Sequence, residues 1–174
     1  SAASDVYKRQ VLDSLVSNDF TVNTIQLQTF EEIKNNSKQA FLLAEDGMQK
    51  IMGGRGSFLR DATLLGVKFL NQNKTPFFLM AEGAQIDWGG HANDADYLIS
   101  EVIDFDQTIG AVLDFAERDG ESLVVVTSDH ETGGFTLAGK PFTNQYGEID
   151  EDYSTIVPSF STVGHSATLI PVFA

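Results

Sequence analysis

The chain has no cysteine, which removes thiol catalysis, thiolate metal sites and disulfides, and leaves the redox compartment undecided. Basic residues are scarce: 11 Lys and Arg stand against 25 Asp and Glu, for a formal net charge of −14 and a pI near 4.3. A surface that acidic repels nucleic acid and anionic lipid, so neither is an expected partner. No apolar run reaches the roughly 18 residues needed to cross a bilayer, so no membrane span is expected. Repeats and low-complexity stretches are also missing. What remains is 42% hydrophobic over 174 residues, with 13 Phe gathered in blocks. That is enough apolar material for one packed domain and too much for a disordered chain.

The opening SAASDVYKRQ reads as translated linker, so residues 1–10 are set apart as a non-native leader. The other end, Thr168 to Ala174, reads as a strand with nothing after it, and the chain is expected to be a piece of a longer protein. Between the ends, Thr21–Leu27 and Gln39–Ala44 are expected strands, with a short polar helix from Phe30 to Asn35. Gly47–Gly56 is glycine-rich and reads as a loop, and Asp61–Leu70 is apolar enough for a buried helix. The unbroken run Pro76–Ala81 suits a central parallel strand, as do Leu123–Thr127 and Thr168–Phe173. A long helix is expected from Ala95 to Glu117, because Leu98, Val102, Phe105, Ile109 and Val112 form one stripe. Asn93 or Asp94 can cap its start and Gly120 its end. Strand, helix and strand at this spacing imply a right-handed crossover in a parallel α/β sheet. Tyr146–Ser154 is polar and acidic and reads as a surface excursion.

In open α/β sheets, ligand sites lie just past the carboxyl ends of the strands. Phe77–Ala81 runs into Glu82-Gly83-Ala84-Gln85-Ile86-Asp87-Trp88-Gly89-Gly90-His91, and Leu123–Thr127 into Ser128-Asp129-His130-Glu131-Thr132-Gly133-Gly134. Gly164-His165-Ser166 precedes the third run, so all three histidines of the chain sit at strand junctions. Imidazole and carboxylate are the usual zinc ligands where thiolate is absent. A turn over Gly89-Gly90 can bring Asp87 and His91 to one ion, the strand end can do the same for Asp129 and His130, and the hard oxygens of Glu82 suit magnesium.

The run from Phe77 to His91, followed by Val124 to Gly134, resembles the C-terminal half of a bacterial alkaline phosphatase over residues 20–174, and residues 11–174 are taken as the C-terminal part of that catalytic domain. The resemblance implies an α/β fold, a three-layer sandwich around a mostly parallel central sheet, incomplete here. It implies hydrolysis of phosphate monoesters through a phosphoenzyme on two zinc ions and one magnesium. Carried over by position, Asp87, His91 and His165 would hold the first zinc, Asp129 and His130 part of the second, and Glu82 the magnesium. Trp88 stands where many relatives carry His or Lys, and is a candidate substrate contact or packing residue. The roles of Glu131 and Thr132 stay open, and Ser128 reads as structural. The nucleophile, the bridging Asp and the phosphate-clamping Arg come from the N-terminal half in this family, and neither Arg55 nor Arg60 is assigned to the clamp. The resemblance further implies a homodimer exported to the periplasm or secreted, with the N-terminal half as the partner of these residues and the 174 residues inactive alone. Related sulfatases, phosphodiesterases and cofactor-independent phosphoglycerate mutases share the Asp-His pair, and an inactive metal-binding remnant is the non-enzyme alternative. The sequons at Asn35 and Asn73 occur at about chance frequency and carry little weight.

Overall fold

The computed structural model describes residues 2–33, 37–73 and 75–174, and side chains from position 9 onward. Both sequons, and the far end of the helix expected to Asn35, reach outside the described residues. The chain divides into two compact units, Ser1–Gln49 with Asp61–Leu79, and Lys50–Arg60 with Met80–Ala174. The order of elements is α/β throughout: helix α1 (Ala2–Ser17), strand β1 (Phe20–Asn23), strand β2 (Lys38–Phe41), helix α2 (Phe58–Leu70), helix α3 (Gln85–His91), helix α4 (Ala95–Asp119), then strands β3 (Glu131–Thr132), β4 (Thr136–Thr143), β5 (Ile149–Ser159) and β6 (His165–Ser166).

In the first unit, β1 and β2 pair in parallel with Phe20 opposite Lys38 and Asn23 opposite Phe41. The sequence expectation for these strands ran longer, to Leu27 and Ala44. After β1 the Asn23 carboxamide accepts from the N–H groups of Ile25 and Gln26, an Asx-type turn that ends the strand early. The expected polar helix is a 3-10 turn, Phe30–Glu32, closed by a capping box between Thr29 and Glu32. The glycine-rich loop also holds one 3-10 turn, Ile51–Gly53, ended by Gly54 at φ 94°.

In the second unit α4 follows the expected limits closely. Asp94 caps its first turn by accepting from the Tyr97 N–H, and Gly120 ends it at φ 73°, the left-handed conformation glycine adopts without strain. The buried face differs from the expected apolar stripe. It carries Tyr97, Leu98, Glu101, Asp104 and Thr108, whereas Val102 is exposed. The cause is Arg55, whose buried guanidinium lies 2.5 Å from Glu101 and 2.8 Å from Asp104, while Glu101 also accepts from the Ile51 N–H. The Lys50–Arg60 segment is thus tied to α4 through charge.

The three expected central strands are a correction. Among the described residues, Pro76–Ala81 belongs to no ladder, and the other two runs share only one antiparallel bridge, Val126 with Phe173. The right-handed parallel crossover is therefore absent among them, and β1–β2 is the one parallel pair. The physical reason lies in the hydrogen bonding of a central strand, which needs a neighbour on both sides. Here Phe78, Met80, Leu123, Leu169 and Val172 stand exposed instead. The acidic surface excursion is a hairpin of β4 and β5, exposed along most of its length. Asn144 builds its turn by accepting from the N–H groups of Tyr146 and Glu148.

Candidate metal centre

Asp87 and His91 meet on α3 as an i, i+4 pair on one helical face. The expected glycine turn is a helix instead, and the glycines serve close approach. A Cβ on Gly89 would stand 2.8 Å from the Leu98 main chain, and one on Gly90 2.8 Å from the Thr132 carbonyl oxygen. Gly133, at φ 90°, has no more room, since its Cβ would lie 2.8 Å from the Gly90 oxygen. Backbone thus meets backbone where α3, α4 and β3 come together, and this brings the Asp87 face against the strand carrying Thr132.

β6 is held on β3 with Glu131 opposite Ser166 and Thr132 opposite His165. The Glu131 carboxylate reinforces the pair, accepting from Ser166 Oγ and from the Phe135 N–H. Burial of Glu131 would raise its pKa, but these hydrogen bonds outweigh it and hold the carboxyl below its usual range. The result is that His165 arrives beside His91 from the other end of the second unit.

Asp87 Oδ1, His91 Nε2 and His165 Nε2 converge on one point. The two ring nitrogens are 3.3 Å apart, and they lie 3.5 Å and 3.8 Å from the carboxylate oxygen. Two imidazole nitrogens bound to one tetrahedral zinc at about 2.05 Å stand roughly 3.3 Å apart. His91 Nδ1 lies 2.6 Å from the Val163 carbonyl oxygen. A carbonyl can only accept, so Nδ1 carries the proton and Nε2 offers a bare lone pair toward Asp87 and His165. Two imidazoles and a carboxylate, with side chains between a third and a half exposed, are the donor set of a zinc site that keeps an open position. The residues fit the metal.

The second pair is close by. The His130 ring stacks on His165 with centroids 3.5 Å apart, and His130 Nε2 is 3.2 Å from Asp129 Oδ2. Main-chain N–H groups, that of Asp129 itself foremost, hold the Asp129 carboxyl below its usual range. Ser128 Oγ donates to the His130 carbonyl at 2.7 Å. Among the described residues the three-ligand group is Asp87, His91 and His165, so Asp129 and His130 form a two-residue pair beside it. Glu82 is exposed in the segment before α3 and lies outside that group. Trp88 is 49% exposed, one residue from Asp87.

A family model for alkaline phosphatase matches residues 18–162. The chain belongs to the alkaline phosphatase family. Alkaline phosphatase 4 of Bacillus subtilis is 41% identical over 69% of this chain and 27% of its own length. Streptomycin-6-phosphate phosphatase of Streptomyces griseus is 34% identical over 56% of this chain and 24% of its own. Among solved structures, the alkaline phosphatase of the Antarctic bacterium TAB5 is 56% identical over 94% of this chain and 46% of its own, with a TM-score of 0.85. A mutant of the TAB5 enzyme with magnesium bound in its M3 site superposes with a TM-score of 0.86. The chain spans about half the length of that structure, 47%, and about a quarter of the curated Bacillus relative, 27%.

Proposed function

We propose that this chain supplies the C-terminal, metal-holding part of an alkaline phosphatase that hydrolyses phosphate monoesters through a phosphoenzyme. The convergence of Asp87 Oδ1, His91 Nε2 and His165 Nε2 carries the reading. These three hold the first zinc, Asp129 and His130 contribute to the second, and Glu82 serves magnesium. When bound, two zinc ions and one magnesium supply the positive charge that a −14 chain otherwise lacks, offsetting the charge of the phosphoryl oxygens. His91 and Asp87 present their ligand atoms from one rigid helical turn, and His165 is clamped by the β3–β6 pair, so little ordering is left to occur on binding. Trp88, half exposed beside Asp87, is the candidate substrate contact.

The nucleophile and the phosphate-clamping Arg come from the N-terminal half of the family fold. Arg55 is occupied by Glu101 and Asp104 and does not serve as the clamp. The exposed apolar runs around Phe78, Leu123 and Leu169 support a central parallel sheet, sandwiched between helix layers, whose remaining strands that half provides. The family reading also makes the parent enzyme a homodimer of the periplasm or the extracellular space. Among the described residues no helix is long and apolar enough to cross a membrane.

The chain alone is expected to bind zinc, as read by metal analysis after gel filtration, without turning over p-nitrophenyl phosphate. In the parent enzyme, His91→Ala should lose the first zinc and nearly all turnover. Full activity with two zincs in that variant would defeat the ligand assignment.

A further inference from the structure

One hydroxyl links the two candidate metal positions. Thr132 Oγ1 lies 2.5 Å from Asp87 Oδ1 and 3.2 Å from His130 Nδ1. An ionised carboxylate only accepts, so the single hydroxyl proton points to Asp87. What Thr132 offers His130 is therefore a lone pair, and His130 Nδ1 must be the donor. A neutral imidazole protonated on Nδ1 leaves Nε2 bare, and that nitrogen is the one 3.2 Å from Asp129 Oδ2. Two acceptors facing each other at that distance repel unless a metal ion or a proton lies between them. The hydrogen bonds run in one direction, from His130 through Thr132 to Asp87.

Resting on the metal reading above, we propose that Thr132 is a positioning residue shared by both metal sites. Its hydroxyl fixes the orientation of Asp87 for the first ion and the tautomer of His130 for the second. An ion on His130 Nε2 makes the opposite N–H a stronger donor, which polarises the Thr132 hydroxyl and strengthens its bond to Asp87. Occupancy of one site thereby favours the other.

Thr132 has a second duty that the test must separate from the first. Its Cγ2 and Cβ lie where a Cβ on Gly90 would approach to 3.0 Å, so the side chain also packs against α3. Thr132→Val keeps the methyl packing and removes the hydroxyl, whereas Thr132→Ser keeps the hydroxyl and removes the methyl. Zinc affinities of the parent enzyme, measured by competition with a chromogenic chelator, and the visible spectrum of the cobalt-loaded enzyme are the readouts. Thr132→Val is expected to bind both ions about 10- to 100-fold more weakly with an altered cobalt spectrum, and Thr132→Ser to stay close to the unsubstituted enzyme. Unchanged affinities in Thr132→Val, or equal losses in both variants, overturn the proposal, the second result assigning Thr132 to packing. Should Thr132→Val lose its circular dichroism, Thr132→Ser and Thr132→Ala differ by the hydroxyl alone, and equal affinities between them overturn it as well. A parent enzyme that binds no zinc overturns the metal reading itself and this inference with it.

Discussion

Arg55 buries a guanidinium between two carboxylates, and the balance of charge there is two negative to one positive. Removing the Arg leaves Glu101 and Asp104 buried together with no counter-charge, which is the costly direction for an ion cluster. Arg55→Ala is expected to lower stability by about 3–5 kcal/mol, read from urea unfolding. At the candidate metal centre the histidines were legible because each lies close to an apolar run in the sequence, beside Asp87, Asp129 or Ser166. The groups that orient them were not. The Val163 carbonyl that holds His91 belongs to the main chain, and any residue at 163 would supply it. Val163→Thr should therefore leave zinc affinity unchanged in a chelator titration. Thr132 and Glu131 lie inside a conspicuous motif, yet their partners Asp87 and Ser166 are 45 and 35 residues away, beyond the reach of local spacing.

The elements differ in how far local sequence decides them. Helix α4 carries its own start and stop signals in Asp94 and Gly120, so its limits could be read directly. Its buried face could not, because the partner that turns Glu101 inward is 46 residues away in sequence. Asp94→Ala is expected to cost about 1 kcal/mol, measured as a fall in the unfolding midpoint. For α3 the decisive positions are the glycines. Gly90→Ala forces a methyl against the Thr132 carbonyl, so α3 and β3 must part. The expected penalty is about 1–3 kcal/mol together with weaker zinc binding, because Asp87 moves away from Thr132. The β4–β5 hairpin escaped the sequence reading because its turn chemistry, at Asn144 and Gly147, lies beside an acidic stretch that suggested a loop.

Across the whole chain, the large hydrophobic side chains buried among the described residues are few: Ile33, Val67, Tyr97 and Leu98. The runs that read as central strands are apolar as expected, but among the described residues they form no ladder beyond the Val126–Phe173 bridge, because pairing is set by distant segments that a run's own composition does not name. Produced alone, the chain is expected to bind the dye ANS strongly and to self-associate in light scattering, whereas co-production with the N-terminal half of the TAB5 enzyme should suppress both. A further consequence concerns observation. The chain has three histidines, and all three lie in the candidate metal centre, while its one indole, Trp88, adjoins Asp87. Imidazole proton resonances and tryptophan emission therefore come from one place in the molecule. No labelling is needed to watch that place: in these two signals the protein is its own spectroscopic reporter.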